Sequence, residues 1–196
     1  ADYGHSVYIF GNDYELTDLS EGYFDVYEDN AQDISEYWII SESNYDASSS
    51  DGTEDAIVGD VWVSPNGNDS NSGLTSEDAF LTINRALEII YPTDNNPITI
   101  HLLEGTYAPS TTGEIYSIIM ISNVTLIGEG PDITILNAEQ SGRVITMNDV
   151  YNVTVSRLTL TEGYAQGDHH TTGLGGGVYA RRAIATLNRV AIVGNK

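Results

Sequence analysis

The chain contains no cysteine, so neither disulfides nor thiolate metal sites hold any part of it together. Basic residues are nearly as scarce. Seven Lys and Arg stand against 29 Asp and Glu, giving a net charge of −22 and a pI near 4.1. Lys196 is the only lysine. A polyanion of this kind repels nucleic acid and anionic membranes, which sets both aside as partners. No apolar run approaches the roughly 18–20 residues that a membrane-spanning helix needs. What is present suffices for a folded core, because 40% of the 196 residues are hydrophobic, well above the range of disordered chains. The acid excess suits an extracellular, saline setting. The opening Ala1-Asp2-Tyr3 is what signal-peptide removal leaves, so the expected location is outside the cell or on its surface.

Charge and composition divide the chain. Residues 1–84 hold 19 of the acids and no Lys or Arg, giving −19; residues 85–196 hold the other 10 acids and all 7 bases, giving −3. Residues 1–57 carry 7 of the 13 tyrosines. Their short runs Val7–Phe10, Tyr23–Tyr27 and Tyr37–Ile40 are separated by acidic turn sequences. This predicts a β-rich, acidic, Tyr-rich arm ending in the Ser-rich linker 47–52. Its aromatics Tyr8, Phe10, Tyr23, Phe24, Tyr37 and Trp38 suit a core or a subunit contact better than a sugar platform.

Residues 58–97 read as an opening strand (Val61-Trp62-Val63), an Asx-rich loop from Ser64 to Gly73, and a helix at about 76–91. Thr75 with Asp78 forms a loose capping box. Phe80, Ile83, Ala86, Leu87 and Ile90 lie at helical spacing on one face, and Pro92 stops the helix. One amphipathic helix before a long run of strands suits the lid of an open stack.

Residues 98–196 read as short strands only: Ile98–Leu103, Ser117–Ile121, Val124–Ile127, Ile133–Leu136, Val144–Met147, Val153–Val155, Leu158–Leu160, Gly177–Tyr179, Ala185–Leu187 and Val190–Val193. Without a second helix, βαβ units are excluded. Related phrases begin at Asn123, Asn152 and Asn188, offset by 29 and then 36 residues. A period of this size, with several strands in each repeat, predicts a solenoid with aliphatic ladders inside. A β-sandwich is the alternative fold.

The stretch Val61-Trp-Val-Ser-Pro-Asn-Gly-Asn-Asp-Ser-Asn-Ser-Gly, followed by Ala79-Phe-Leu-Thr-Ile-Asn-Arg-Ala-Leu, resembles the opening of secreted right-handed β-helix repeat proteins of the pectate-lyase-like superfamily. Leu103-Glu-Gly-Thr-Tyr, Val124-Thr-Leu-Ile-Gly-Glu-Gly and Gly175-Gly-Gly-Val-Tyr follow in the same order. The resemblance covers residues 61–196. It implies an all-β fold, a right-handed parallel β-helix, and secretion. That superfamily spans lyases, hydrolases, adhesins and structural surface proteins, so activity does not follow from fold.

Candidate chemistry is sparse. Residues 85–196 show no paired Asp-Asp on a strand, and the superfamily's hydrolase signatures Asn-Thr-Asp and Arg-Ile-Lys are absent. Arg181-Arg182 could hold a uronate but equally suit an exposed turn. Asp168, His169 and His170 form the one cluster of transition-metal ligand types. Asn66, Asn68 and Asp69 offer oxygens to Ca²⁺, though an Asx-rich turn explains them as well. His5 and His101 are isolated and carry no signal. Sequons at Asn68, Asn123 and Asn152 are glycosylation candidates where the source glycosylates.

These readings predict a non-enzymatic structural or adhesive β-helix on the cell surface or outside the cell. No cofactor is required, with Ca²⁺ the one ion worth testing. The phrase Ala191–Lys196 carries no cap, so that rung is expected to pair with further rungs or with the 1–57 arm of a second copy. Head-to-tail pairing of that kind propagates into filaments. The expected partners are the chain itself or a cell-surface or matrix glycan. A carbohydrate-active or glycan-binding β-helix is the rival reading.

Overall fold

Val61 and Val63 alternate with Trp62, and that alternation puts both valines in the core and leaves the indole half-buried outside. The same two-residue period repeats through the rest of the chain. The computed structural model describes residues 56–167 and 174–196, all within one compact unit, Glu54–Lys196. The 1–57 arm therefore lies almost wholly outside the described residues, as do Asp168, His169 and His170.

Ten strands make up this unit: β1 (Val61–Val63), β2 (Ile98–Leu102), β3 (Gly105–Tyr107), β4 (Ile118–Ile119), β5 (Val124–Ile127), β6 (Thr134–Asn137), β7 (Ile145–Asn148), β8 (Val153–Thr161), β9 (Val178–Arg181) and β10 (Ala185–Val193). Every pairing between them is parallel. Each coil contributes up to three strands to three faces. The first face stacks β1, β2, β5 and the leading halves of β8 and β10. The second stacks β3, β6 and the trailing halves of β8 and β10. The third stacks β4, β7 and β9. This is a parallel β-helix, not a sandwich.

Strand register builds the core as continuous ladders. Val61, Ile100, Leu126, Val155 and Leu187 stack on the first face. Tyr107, Leu136, Leu160 and Ile192 stack on the second, and Ile118, Ile145 and Val178 on the third. Parallel rungs lie about 4.8 Å apart, so each inward side chain rests on the one below it. From Val61 to Leu160 the members of these ladders are fully buried. Tyr107 is the one large polar-tipped member, and its hydroxyl reaches Val63 O at 2.8 Å and Leu103 O at 2.9 Å. Burial pushes that phenol's pKa well above its ordinary value.

The lid is shorter than the 76–91 helix expected. Ser76–Asp78 forms a 3-10 turn capped by Thr75, and α1 spans Ile83–Ile89. The residues between are extended. Asp78 does not complete a capping box, because its carboxylate is taken by the Ser72 N–H and hydroxyl. Phe80 instead bridges to Val63 and inserts its ring against Gly73. A Cβ at Gly73 would stand 1.9 Å from that ring, and φ there is +70°, a conformation glycine adopts freely. Phe80, Ile83, Ala86 and Ile90 are buried as expected, while Leu87 packs only partly against the core.

Three further differences concern register. β3 was not anticipated as a strand. The Val153–Val155 and Leu158–Leu160 segments form one strand, β8, bent at Arg157 (φ +57°), and β10 bends likewise at Arg189 (φ +54°). The phrase beginning at Asn188 does not stack on the one beginning at Asn152. Asn188 pairs with Ser156, and Val153 with Ala185, an offset of 32 residues instead of 36. The corner residues Arg157 and Arg189 must coincide for both faces to stay in register, and that constraint overrides the likeness of the phrases.

Candidate functional site

In the Asx-rich loop the side-chain oxygens of Asn68 and Asp69 bind the chain's own donors. Asp69 Oδ1 accepts from Leu81 N–H and Thr82 N–H at 2.9 Å, and its Oδ2 accepts from the Thr82 hydroxyl at 3.0 Å. Asn68 Oδ1 closes a turn on the Ser70 N–H, and the Asn66 N–H donates to Ser64 Oγ. Asp69 thus anchors the start of the lid. Glu114, reaching from the loop between β3 and β4, completes the anchor. It accepts from Ile83 N–H (2.8 Å), Asn84 N–H (3.0 Å) and the Asn84 side-chain amide. These are N–H groups that the helix itself cannot satisfy. Glu114 is buried, and desolvation raises its pKa above the usual glutamate value despite those three donors. Among the described residues no group of three or more His, Cys, Asp or Glu is placed to hold a metal ion.

The sequons occupy three different settings. Asn68 is exposed. Asn123 is only 4% exposed, and its amide donates to Asp94 Oδ1 at 2.8 Å. Asn152 donates to Asn123 Oδ1 at 2.9 Å, and the Tyr151 hydroxyl returns to Asp94 at 3.0 Å. Asn123 and Asn152 both have positive φ, +63° and +52°, which asparagine tolerates better than most residues. They form a short ladder at the corner between the third and first faces. Arg182, in another corner turn, pairs with Asp149 on the rung below, and this exposed contact holds the Asp149 carboxyl below its usual pKa.

A groove on the outer side of the first face was not anticipated. Trp62, His101 and Ile127 occupy successive rungs of one outward column. The Trp62 and His101 rings stack with centroids 4.8 Å apart and planes 13° from parallel. His101 Nε2 lies 3.6 Å from Asp60 Oδ2, while Asp60 Oδ1 accepts from the Thr99 N–H at 2.7 Å. Across from this wall runs the turn after β5. There the Cβ of any residue replacing Gly128 would stand 2.5 Å from Arg157 O, so only glycine lets the two rungs approach this closely. Arg157 leans over and donates to Glu129 O at 2.6 Å. Trp62, His101, Ile127, Glu129 and Arg157 line a pocket of about 180 Å³. The Trp62-to-His101 offset is 39 residues, so the 29-residue spacing of the Asn-Val-Thr phrases does not bring the two together. Only strand pairing shows that His101 has an aromatic partner.

The last described rung, β10, presents a different surface. It pairs along its length with β8, and among the described residues no strand pairs with its other edge. Leu187 is 45% exposed, Ile192 47%, Val193 53%, and Ile184, just before the strand, 74%.

A family model described as "Protein of unknown function (DUF1565)" matches residues 65–148, the stretch from the Asx-rich loop through the lid to β7. No curated protein matches the chain. Among solved structures, pectin methylesterase PemA from Erwinia chrysanthemi is similar, with a TM-score of 0.40 at 15% identity. The match covers 68% of this chain and 45% of that one, so the chain spans less than half of that protein's length. No helix among the described residues is long and apolar enough to cross a membrane.

Proposed function

We propose that the chain is an extracellular or cell-surface structural β-helix that self-associates through β10. One observation carries this reading. The inward positions of β10 continue the aliphatic ladders, yet Leu187 and Ile192 remain nearly half exposed beside a strand edge that no strand among the described residues pairs. Such an edge templates further parallel or antiparallel pairing. The partner proposed is a second copy, with the aromatic runs of its 1–57 arm (Tyr8, Phe10, Tyr23, Phe24, Tyr37, Trp38) supplying the covering strands. A heterologous contact of this kind repeats and builds a filament. The acid excess and the single lysine suit a saline exterior and leave hydrophobic pairing as the joining force.

Sedimentation velocity and negative-stain microscopy, with and without Ca²⁺, test the proposal. The chain is expected to form regular assemblies that Leu187→Lys and Ile192→Lys each abolish. A monodisperse monomer at high concentration in both conditions overturns it.

A second reading is favoured by the groove on the first face. Stacked rings beside a free carboxylate and a guanidinium are the components of a sugar-binding surface. In this reading the β-helix contacts a glycan without cleaving it. The two readings are compatible, since β10 and the groove are different surfaces.

A further inference from the structure

The groove has a charge pattern that selects among glycans. Its apolar wall is the Trp62–His101 stack and Ile127. Trp62 covers one face of the imidazole, which leaves the opposite face toward the Ile127 rung. Beside this wall stand one guanidinium, that of Arg157, and one carboxylate, that of Glu129. Arg157 is tethered to the Glu129 backbone carbonyl rather than to its carboxylate. The Glu129 backbone N–H donates to Thr134 Oγ1, and no side chain among the described residues bonds the Glu129 carboxylate. Asp60 stands outside this lining, with its carboxylate held by the Thr99 N–H and beside His101 Nε2.

A sugar hydroxyl both donates and accepts, so it bridges a carboxylate and a guanidinium placed side by side. A ring's C–H face meanwhile covers aromatic and aliphatic wall. A uronate fares worse. Its carboxylate would enter beside the Glu129 carboxylate, while the one guanidinium is already tethered to a backbone carbonyl. Like charges at such range repel.

We propose that the groove formed by Trp62, His101, Ile127, Glu129 and Arg157 binds a neutral hexopyranosyl unit of a glycan and rejects uronates. This rests on the glycan-contacting reading above. Arg157 donates to one ring hydroxyl, Glu129 accepts from its neighbour, and Ile127 with the edges of the stacked rings meets the sugar's C–H groups. The pocket has room for one sugar ring, so the rest of the glycan lies along the outer face, over the threonine column Thr99, Thr125, Thr154 and Thr186.

Isothermal titration of the full chain with a neutral hexo-oligosaccharide series (β-gluco- and β-manno-hexaose) and with oligogalacturonate tests this. The expected result is heat of binding from at least one neutral oligomer and none from oligogalacturonate at the same concentration. Glu129→Ala should weaken the neutral interaction at least tenfold, whereas Thr161→Ala, on the outer side of the second face, should leave it unchanged. Glu129→Gln keeps an acceptor and removes a charge, so it should retain neutral binding and reduce the discrimination against uronate. Binding of oligogalacturonate in preference to every neutral oligomer overturns the charge argument while leaving a glycan groove standing. No binding by either class overturns both. Neutral binding unaffected by Glu129→Ala places the sugar elsewhere and overturns the assignment of this groove.

Discussion

Strands β8 and β10 are the same length, nine residues each, and run in register over nearly all of it, yet they live in different environments. Both place small or aliphatic residues inward before a left-handed corner arginine and aliphatic ones after it. In β8, Val153, Val155, Leu158 and Leu160 are buried. In β10 their partners Ala185 and Leu187 are exposed, Val190 is half-buried and Ile192 is exposed. The difference is not in the strands. A rung of a β-helix buries its inward side chains only when rungs lie on both sides of it, because the stack is a one-dimensional array of nearest-neighbour contacts. Hydrophobic pattern states which way a side chain faces; the neighbours decide whether it leaves water.

The largest test of this comparison removes equivalent methyl groups from an inner and an outer rung. Leu126→Ala, in the middle of the first-face ladder, should cost about 3 kcal/mol, the usual penalty for a cavity in a packed core. Leu187→Ala, one ladder step beyond Val155, should cost about 1 kcal/mol or less, since much of its surface is already in water. Urea denaturation of both variants as monomers reads the contrast, and equal losses would break it.

The opposite end is closed by the lid, and Glu114 is its buried anchor. Glu114→Ala leaves the donors of Ile83 and Asn84 without their acceptor and should cost roughly 2–3 kcal/mol. The pH dependence has a definite sign. The folded-state pKa of Glu114 is raised by burial, so the folded chain holds that proton more tightly than the unfolded one. Its contribution to stability is fully present below the unfolded glutamate pKa and is lost as pH rises through the raised folded value. The urea midpoint of the parent chain should therefore fall relative to that of Glu114→Gln over this window. A difference that does not vary with pH would refute it.

Smaller effects sharpen the comparison at the corners. Asn123→Ala breaks the ladder linking Asp94, Asn123 and Asn152 and places alanine at φ +63°. Its expected cost is roughly 1–2 kcal/mol in thermal or chemical unfolding. Arg189→Gly should be the mildest change and should stabilise the chain by about 0.5 kcal/mol, because φ there is +54° and glycine removes most of that strain while adding some backbone entropy. A loss of stability at Arg189 would mean that its side chain holds β10 in place.

Much of the fold was legible in the residues. Alternating Val, Ile and Leu between Asx and Gly turns gave nine of the ten strands within one or two residues of their ends, some as two halves of one strand. β3 escaped because Gly105-Thr106-Tyr107 is too short to show a period. The lid's buried face was legible too, but not the break between its turn and α1, because Phe80's role as a bridge to Val63 depends on a strand 17 residues earlier. The groove was the least legible feature. His101 stands alone in sequence and becomes an aromatic partner only through pairing with β1.

By itself, the sequence determined the class of architecture, the inward and outward side of each strand, and the strong negative charge, because each follows from local periodicity or from a sum over residues. The tertiary structure alone decided which rungs coincide. It set the 32-residue offset that aligns Arg157 with Arg189, made Asp69 and Glu114 anchors of the lid, and joined Trp62 to His101 beside Glu129. Register is a cooperative property of neighbouring coils whose loops differ in length, and no single repeat carries the information that fixes it.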